Sequence, residues 1–207
     1  MKNSLLATAA ISALSACGGD AVNNFDPTVN NFDAFAEKFD TYNNYFQEID
    51  QDKLPATANM KGFFTGYQES YENLFVGTAR ATADFNAGSL NGSVSNFDEY
   101  EYNGGDGCSE NLKNCSVTLI QDLVGSLTIS GTIDSVKFDF NTTGTLSGFD
   151  DAGSPLDADV TLDGNSRFRT VNDNLVAVSN SKGTVELSSN GKIVFDGSIF
   201  GILYLEE

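Results

Sequence analysis

The sequence predicts a mainly β protein: a small antiparallel barrel of about eight strands, preceded by one amphipathic helix. Three observations carry that expectation. Phe32, Phe35, Phe39, Tyr42, Phe46 and Ile49 recur at alternating steps of three and four, the period of one helix face. After Pro55 this period vanishes, and short alternating runs are punctuated by Gly, Ser, Thr, Asn and Asp. Around Asn86-Ala87-Gly88 two alternating runs face each other across a tight turn, which is a hairpin pattern.

Residues 1–16 read as an export signal. Lys2 supplies positive charge, residues 5–16 supply a short apolar stretch, and small residues precede Cys17. The stretch is too short to span a bilayer, which takes roughly 20 apolar residues. Leu14-Ser15-Ala16-Cys17 resembles the lipobox of bacterial lipoproteins. That resemblance implies a lipidated Cys17, cleavage before it and acylation of the new amino terminus. Two or more acyl chains hold a protein on a membrane stably without crossing it. Gly18, rather than Asp, follows Cys17, which leans towards the outer membrane or cell surface.

Residues 17–25 read as a tether and residues 26–53 as the amphipathic helical segment. Asp26 is a capping residue and Pro27 suits the first helical position. Asp33, Glu37, Lys38, Asp40, Asn43, Asn44 and Glu48 fall off the aromatic stripe, so they are expected on the polar surface. The stripe itself is expected to pack on the protein's own core.

Residues 54–207 carry the strands. Alternation predicts strands at 60–67, 75–85, 89–97, 116–120, 123–130, 135–140, 143–148, 158–162, 174–179, 183–187 and 192–204. Residues 98–115 are expected to form a long acidic loop, with a shorter loop at 150–155. Asn172-Asp173-Asn174 and Ser189-Asn190-Gly191 mark turns. Many short antiparallel strands joined by tight turns argue for a closed barrel or a sandwich. Strands that cross a membrane need about 9–11 residues, and several of these runs are shorter, which argues against a membrane-spanning barrel.

The composition narrows function. The formal net charge is −18, from 29 acids against 11 bases, which disfavours nucleic-acid binding and an anionic membrane surface. The chain has no histidine, which removes Ser-His-Asp and Cys-His nucleophile systems and most zinc, copper and non-haem iron sites. With Cys17 lipidated, Cys108 and Cys115 remain as a pair in a polar stretch. In an exported protein they are expected to form a disulfide, worth under about 3 kcal/mol for so short a loop.

Calcium could sit at Asp98, Glu99, Glu101 and Asp106, or at Asp157-Ala158-Asp159. The second stretch fails the EF-hand pattern, with Thr161 and Thr170 where ligands are needed. Tyr67, Tyr71, Tyr100 and Tyr102 could each ligate a haem, and nothing selects one. A carboxylate pair could hydrolyse glycosides, but among this many acids such a pair carries no information. No metal or other cofactor is expected.

The strand region resembles a known family. Residues 55–66, from Pro55 to Gly66, look like the proline-led first strand of transferrin-binding-protein-B-like barrels. Residues 77–94 are similar to their second and third strands, where an alternating run reaches Asp84-Phe85, turns at Gly88 and returns through Leu90-Asn91-Gly92. Leu127-Thr128-Ile129-Ser130-Gly131, Gly144-Thr145-Leu146-Ser147-Gly148 and Gly197-Ser198-Ile199-Phe200-Gly201 fit the weaker repeats. The family implies an eight-stranded barrel, often on a surface lipoprotein. The chain lacks the Gly-Pro and Ala-Glu signature that closes such barrels, and it has one barrel and no handle domain. Transferrin capture is therefore not implied, and no binding residue carries over.

Together these readings predict a non-enzymatic envelope lipoprotein, anchored at Cys17, whose barrel presents a binding module for a protein or a small molecule at the barrel mouth. The alternatives are a structural envelope lipoprotein that docks a partner through its Phe-rich helix, and a small hydrolase.

Overall fold

The computed structural model describes residues 31–67, 73–104, 112–150 and 152–207. Cys17, Asp26, Pro27, Tyr71, Asp106 and Cys108 therefore lie outside the described residues. One helix, α1 (Asn31–Tyr45), is followed by a two-residue strand, β1 (Gln47–Glu48), and a 3-10 turn (Gln51–Lys53). Eight long strands complete the fold: β2 (Thr57–Tyr67), β3 (Asn73–Asp84), β4 (Ser89–Tyr102), β5 (Val117–Asp134), β6 (Lys137–Phe149), β7 (Pro155–Val171), β8 (Asn174–Ser189) and β9 (Lys192–Glu206). Each pairs antiparallel with its successor, and β9 returns to pair with β2, so the sheet closes into an up-and-down barrel. β1 adds a short flap on β7, Gln47 opposite Thr170 and Glu48 opposite Arg169.

Alternation decides which side chains enter. Met60, Phe64, Phe97, Leu127, Phe138, Leu162, Phe168 and Leu203 point inwards and are buried. They belong to one cluster that fills the barrel from Ala58 to Leu205. Asn59, Lys61, Arg80, Thr82, Asp139, Asp159 and Asp163 occupy the exposed, outward positions. Close packing of the wall needs small residues at points. A Cβ built on Gly183 would lie 1.8 Å from the Thr161 carbonyl oxygen of the neighbouring strand.

The tight turns share one end of the barrel. Phe85 to Gly88 joins β3 to β4, Ser135-Val136 joins β5 to β6, and Asn172-Asp173 joins β7 to β8. Asn172 and Asp173 both have positive φ (50° and 68°), as a two-residue hairpin turn demands. The opposite end carries the connections 68–72, 103–116 and 150–154, and the turn at Asn190-Gly191. We call these the turn end and the loop end.

The helix lies on the outside of the wall. Its Phe32, Phe35, Ala36 and Tyr42 pack on the outward residues Val76 of β3, Tyr100 of β4, Val176 and Val178 of β8, and Tyr204 of β9. Phe35 meets Phe63 edge-on, with ring centroids 6.4 Å apart. Under this cover β8 is buried on both faces from Leu175 to Ser179. Burying each of these aromatic side chains stabilises the docked helix by roughly 1.5–3 kcal/mol.

Several expectations change. The helical segment stops at Tyr45 instead of residue 53. Asn43 and Asn44 are poor helix formers, and the Asn44 amide donates to the Asp40 carbonyl at 2.8 Å. The chain then turns, so that Phe46 is exposed and Ile49 packs on the barrel interior. Asp40, expected on the polar surface, is buried at 8% exposure. The acidic loop begins only after Tyr102, because Asp98 to Tyr102 extend β4 against β5. Three pairs of expected short strands are single long ones: 116–120 with 123–130 in β5, 135–140 with 143–148 in β6, and 174–179 with 183–187 in β8. Bulges explain part of the misreading. In the β4–β5 ladder the register shifts between Val94 and Phe97, and again where Tyr100 meets Leu119, so alternation changes phase mid-strand.

The strands are 11–18 residues long, which removes short length as an argument against crossing a membrane. The outward charges at Lys61, Arg80, Asp139, Asp159 and Asp163 supply a better one, since a spanning barrel turns an apolar band outwards. No helix among the described residues is long and apolar enough to cross a membrane.

Candidate functional site

Of the residues expected to act, only Cys115 of the three cysteines is described. It ends the 3-10 turn Leu112–Asn114, its N–H donating to the Leu112 carbonyl at 3.0 Å, and it packs with the outer cluster under α1. That turn is held by Asp40. The Asp40 carboxylate accepts the backbone N–H of Leu112 at 3.0 Å and of Lys113 at 3.2 Å, so a helix residue caps a loop 72 positions away. A wider reading of the stripe would have found it. Ala36, fully buried, and Asp40 are one turn apart, on the edge of the apolar face that Phe32 and Phe35 define.

Among the described residues, the acids of the expected calcium loop do not converge. Asp98 points outwards and Glu99 inwards, as alternate residues of a strand must. Glu99 accepts from the Asn73 amide at 3.0 Å and from Gln121 Nε2 at 2.7 Å. Asp157 and Asp159 point to solvent, accepting from the hydroxyls of Ser147 and Thr145. The described tyrosines also separate. Tyr67 stacks on Phe200, Tyr102 is exposed, and Tyr100 is buried.

Tyr100 marks where α1 begins. Its hydroxyl donates to Asp98 Oδ2 at 2.9 Å and accepts the Phe32 N–H at 3.4 Å, while Asn31 Nδ2 donates to the Asn96 carbonyl at 2.9 Å. Burial, with a further contribution from the charge of Asp122, pushes the Asp98 carboxyl above its ordinary pKa, against the Tyr100 hydrogen bond, which lowers it. Burial and then the Asp98 carboxylate push the Tyr100 phenol far above its ordinary range. Burial and then the Glu206 charge do the same to Tyr204.

At the other end of the helix, Arg169 forms a clamp. Its guanidinium lies 4.4 Å over the Phe46 ring, its Nε donates to Glu48 Oε1 at 3.1 Å, and its terminal nitrogen donates to the Tyr42 hydroxyl. Both helix ends are thus tied to the barrel, and the aromatic stripe is occupied by the wall.

Apart from Tyr45 and Phe46 at the end of α1, the large exposed apolar side chains among the described residues lie at the loop end. Tyr67, Tyr102, Leu119, Ile120, Val124, Phe149, Ile193 and Val194 are all exposed there, on strand ends that approach the loops. Two shallow grooves, of about 260 Å³ along β2–β4 and about 490 Å³ across β5–β8, run along the outer wall rather than the barrel mouth. The second is lined by Ser130, Asp139, Asn141, Asp163 and Lys182, with Phe140 among them. Chemically, the loop end offers an apolar contact surface with acidic neighbours, on a barrel whose interior is filled.

Those features define the protein as a closed, eight-stranded antiparallel barrel with an external helix and an apolar loop end. No protein-family model, no curated protein and no solved structure matches the chain.

Proposed function

We propose that the protein is a lipid-anchored envelope protein, held at Cys17, that displays its barrel as a non-enzymatic binding module for a protein. The transferrin-binding-protein-B-like resemblance of residues 77–94 supports this reading. The observation that carries it is the concentration of exposed apolar side chains at the loop end, where Val124 is 74% and Phe149 60% exposed. Water-exposed apolar groups in one region favour contact with another surface. A small-molecule site inside the barrel is a weaker reading, because side chains from Ala58 to Leu205 fill that space. Docking through the Phe-rich helix is weaker too, because Phe32, Phe35 and Tyr42 already pack on the wall.

Two measurements test the proposal. Palmitate labelling of the full chain and of Cys17→Ala should mark only the former. Protease shaving of intact cells should release barrel fragments if the module is displayed outwards. Equal labelling of both chains overturns the anchor, and complete protection of the barrel overturns outward display.

A further inference from the structure

We infer that the corner formed by β5 and β6 at the loop end takes a polypeptide segment that is both apolar and cationic. The inference rests on the display role proposed above and names the chemistry of its partner. Leu119, Ile120 and Val124 of β5 and Phe149 at the end of β6 supply the apolar part, each between 45% and 74% exposed. Val124 sits opposite Ser147, two residues from Phe149, at the last pair of the β5–β6 ladder. Beyond that pair a side chain continues the ladder. The Gln121 amide donates to the Phe149 carbonyl at 2.9 Å and accepts the Phe149 N–H at 3.0 Å. Glu99 in turn holds Gln121 at 2.7 Å. The two strand ends are therefore fixed together, and a partner meets a preformed surface.

The charge around this corner has one sign. Asp122 lies between Ile120 and Val124, Asp150 follows Phe149, Asp157 faces Ser147, and Glu101 pairs with Thr118 beside Leu119. From Asp98 to Ser166 the sequence contains no cation but Lys113 and Lys137. Lys137 begins β6 at the turn end, and Lys113 lies in the 3-10 turn docked on α1.

This combination selects one occupant. A second copy of the chain would bring the same acids to the same place, and like charges opposed across an interface repel. An anionic bilayer is repelled for the same reason. The protein's own residues 17–30 include Asp20 and Asp26 and no cation. A segment with apolar and basic side chains satisfies both parts of the corner. The apolar contacts supply affinity, and the acids supply orientation and selection.

The test uses the full chain with three probes: an amphipathic Lys/Leu peptide, its Glu/Leu counterpart, and phosphatidylcholine vesicles. Binding is followed by fluorescence anisotropy at about physiological salt, where exposed charges more than a Debye length apart are largely screened. The Lys/Leu peptide should bind, and the other two should not. Val124→Ser with Phe149→Ser, and separately Asp122→Asn with Asp150→Asn, should each weaken binding by about tenfold or more. Asp139→Asn with Asp163→Asn removes the same charge from the outer wall and should change binding less than about twofold. All these positions are solvent-facing, and thermal melts confirm that each variant folds. Failure of the Lys/Leu peptide to bind, preference for Glu/Leu or vesicles, or equal losses from corner and wall overturns the inference. Capture of a partner from envelope extract separates it from the display role. If Val124→Ser with Phe149→Ser abolishes capture while Lys/Leu does not bind, the cationic chemistry is wrong and the display role stands. If capture by that variant is unchanged, this corner is not the displayed site.

Discussion

Asp40 shows how much a single side chain can organise. Its two oxygens satisfy consecutive N–H groups at the start of a 3-10 turn, the task of an N-terminal cap. Asp40→Ala should cost about 1–2 kcal/mol, read as a lower urea midpoint, and the Leu112 and Lys113 amides should exchange faster. Unchanged exchange would mean that the loop holds itself. Asp98 makes a pH prediction. Because folding raises its pKa, the folded state prefers the neutral acid. Its stabilising contribution is then fully present below the unfolded pKa and is lost as pH rises through the folded one. Asp98→Asn keeps an oxygen for the Tyr100 hydroxyl and removes that loss. Urea midpoints between about pH 3 and pH 7 should converge at the acid end and favour the variant at the neutral end. Wild-type advantage at neutral pH would contradict the burial argument.

At the scale of elements, the helix, the hairpin of β3 and β4, and the mainly β class were legible in the sequence. The aromatic period placed Phe32, Phe35 and Tyr42 on one face, and that face is the buried one. The hairpin turn was legible at Asn86-Ala87-Gly88, and the structure adds the register: Asp84 lies opposite Ser89, so Phe85 belongs to the turn. Strand lengths were not legible. Polar triplets such as Asn180-Ser181-Lys182 look like turns locally, yet Ser181 pairs with Gly201 and continues β8. Tertiary pairing overrides local propensity there. The β5–β6 corner was missed for a related reason. Residues 116–120 and 123–130 read as two separate short strands, so nothing placed Leu119, Ile120 and Val124 on one continuous strand beside the end of β6. Two substitutions test the elements. Phe35→Ala, at 3% exposure, should cost about 3–5 kcal/mol and uncover the wall at Val176 and Val178, detected as dye binding. Gly183→Ala must move the backbone of β7 away, and should cost about 1–3 kcal/mol with the β7–β8 amides losing protection first.

For the whole molecule, charge is the dominant trait. At −18, self-repulsion opposes compaction, whereas the described ion pairs are few and exposed, as at Lys53–Asp50 and Arg167–Glu48. Raising sodium chloride from about 10 mM to about 500 mM shortens the Debye length severalfold and should raise the melting temperature. A fall would mean that the ion pairs outweigh the repulsion.

The pairing that closes the barrel sets the order of its assembly. Lys61 meets Glu206 and Tyr67 meets Phe200, so the seam joins the first long strand to the last. A chain emerging from synthesis has no partner for the free side of β2 until β9 has been made, and such distant pairings form slowly. Until then β2 and β8 each present an unpaired edge. The barrel is a ring that only β9 can close, and every earlier intermediate is an open sheet.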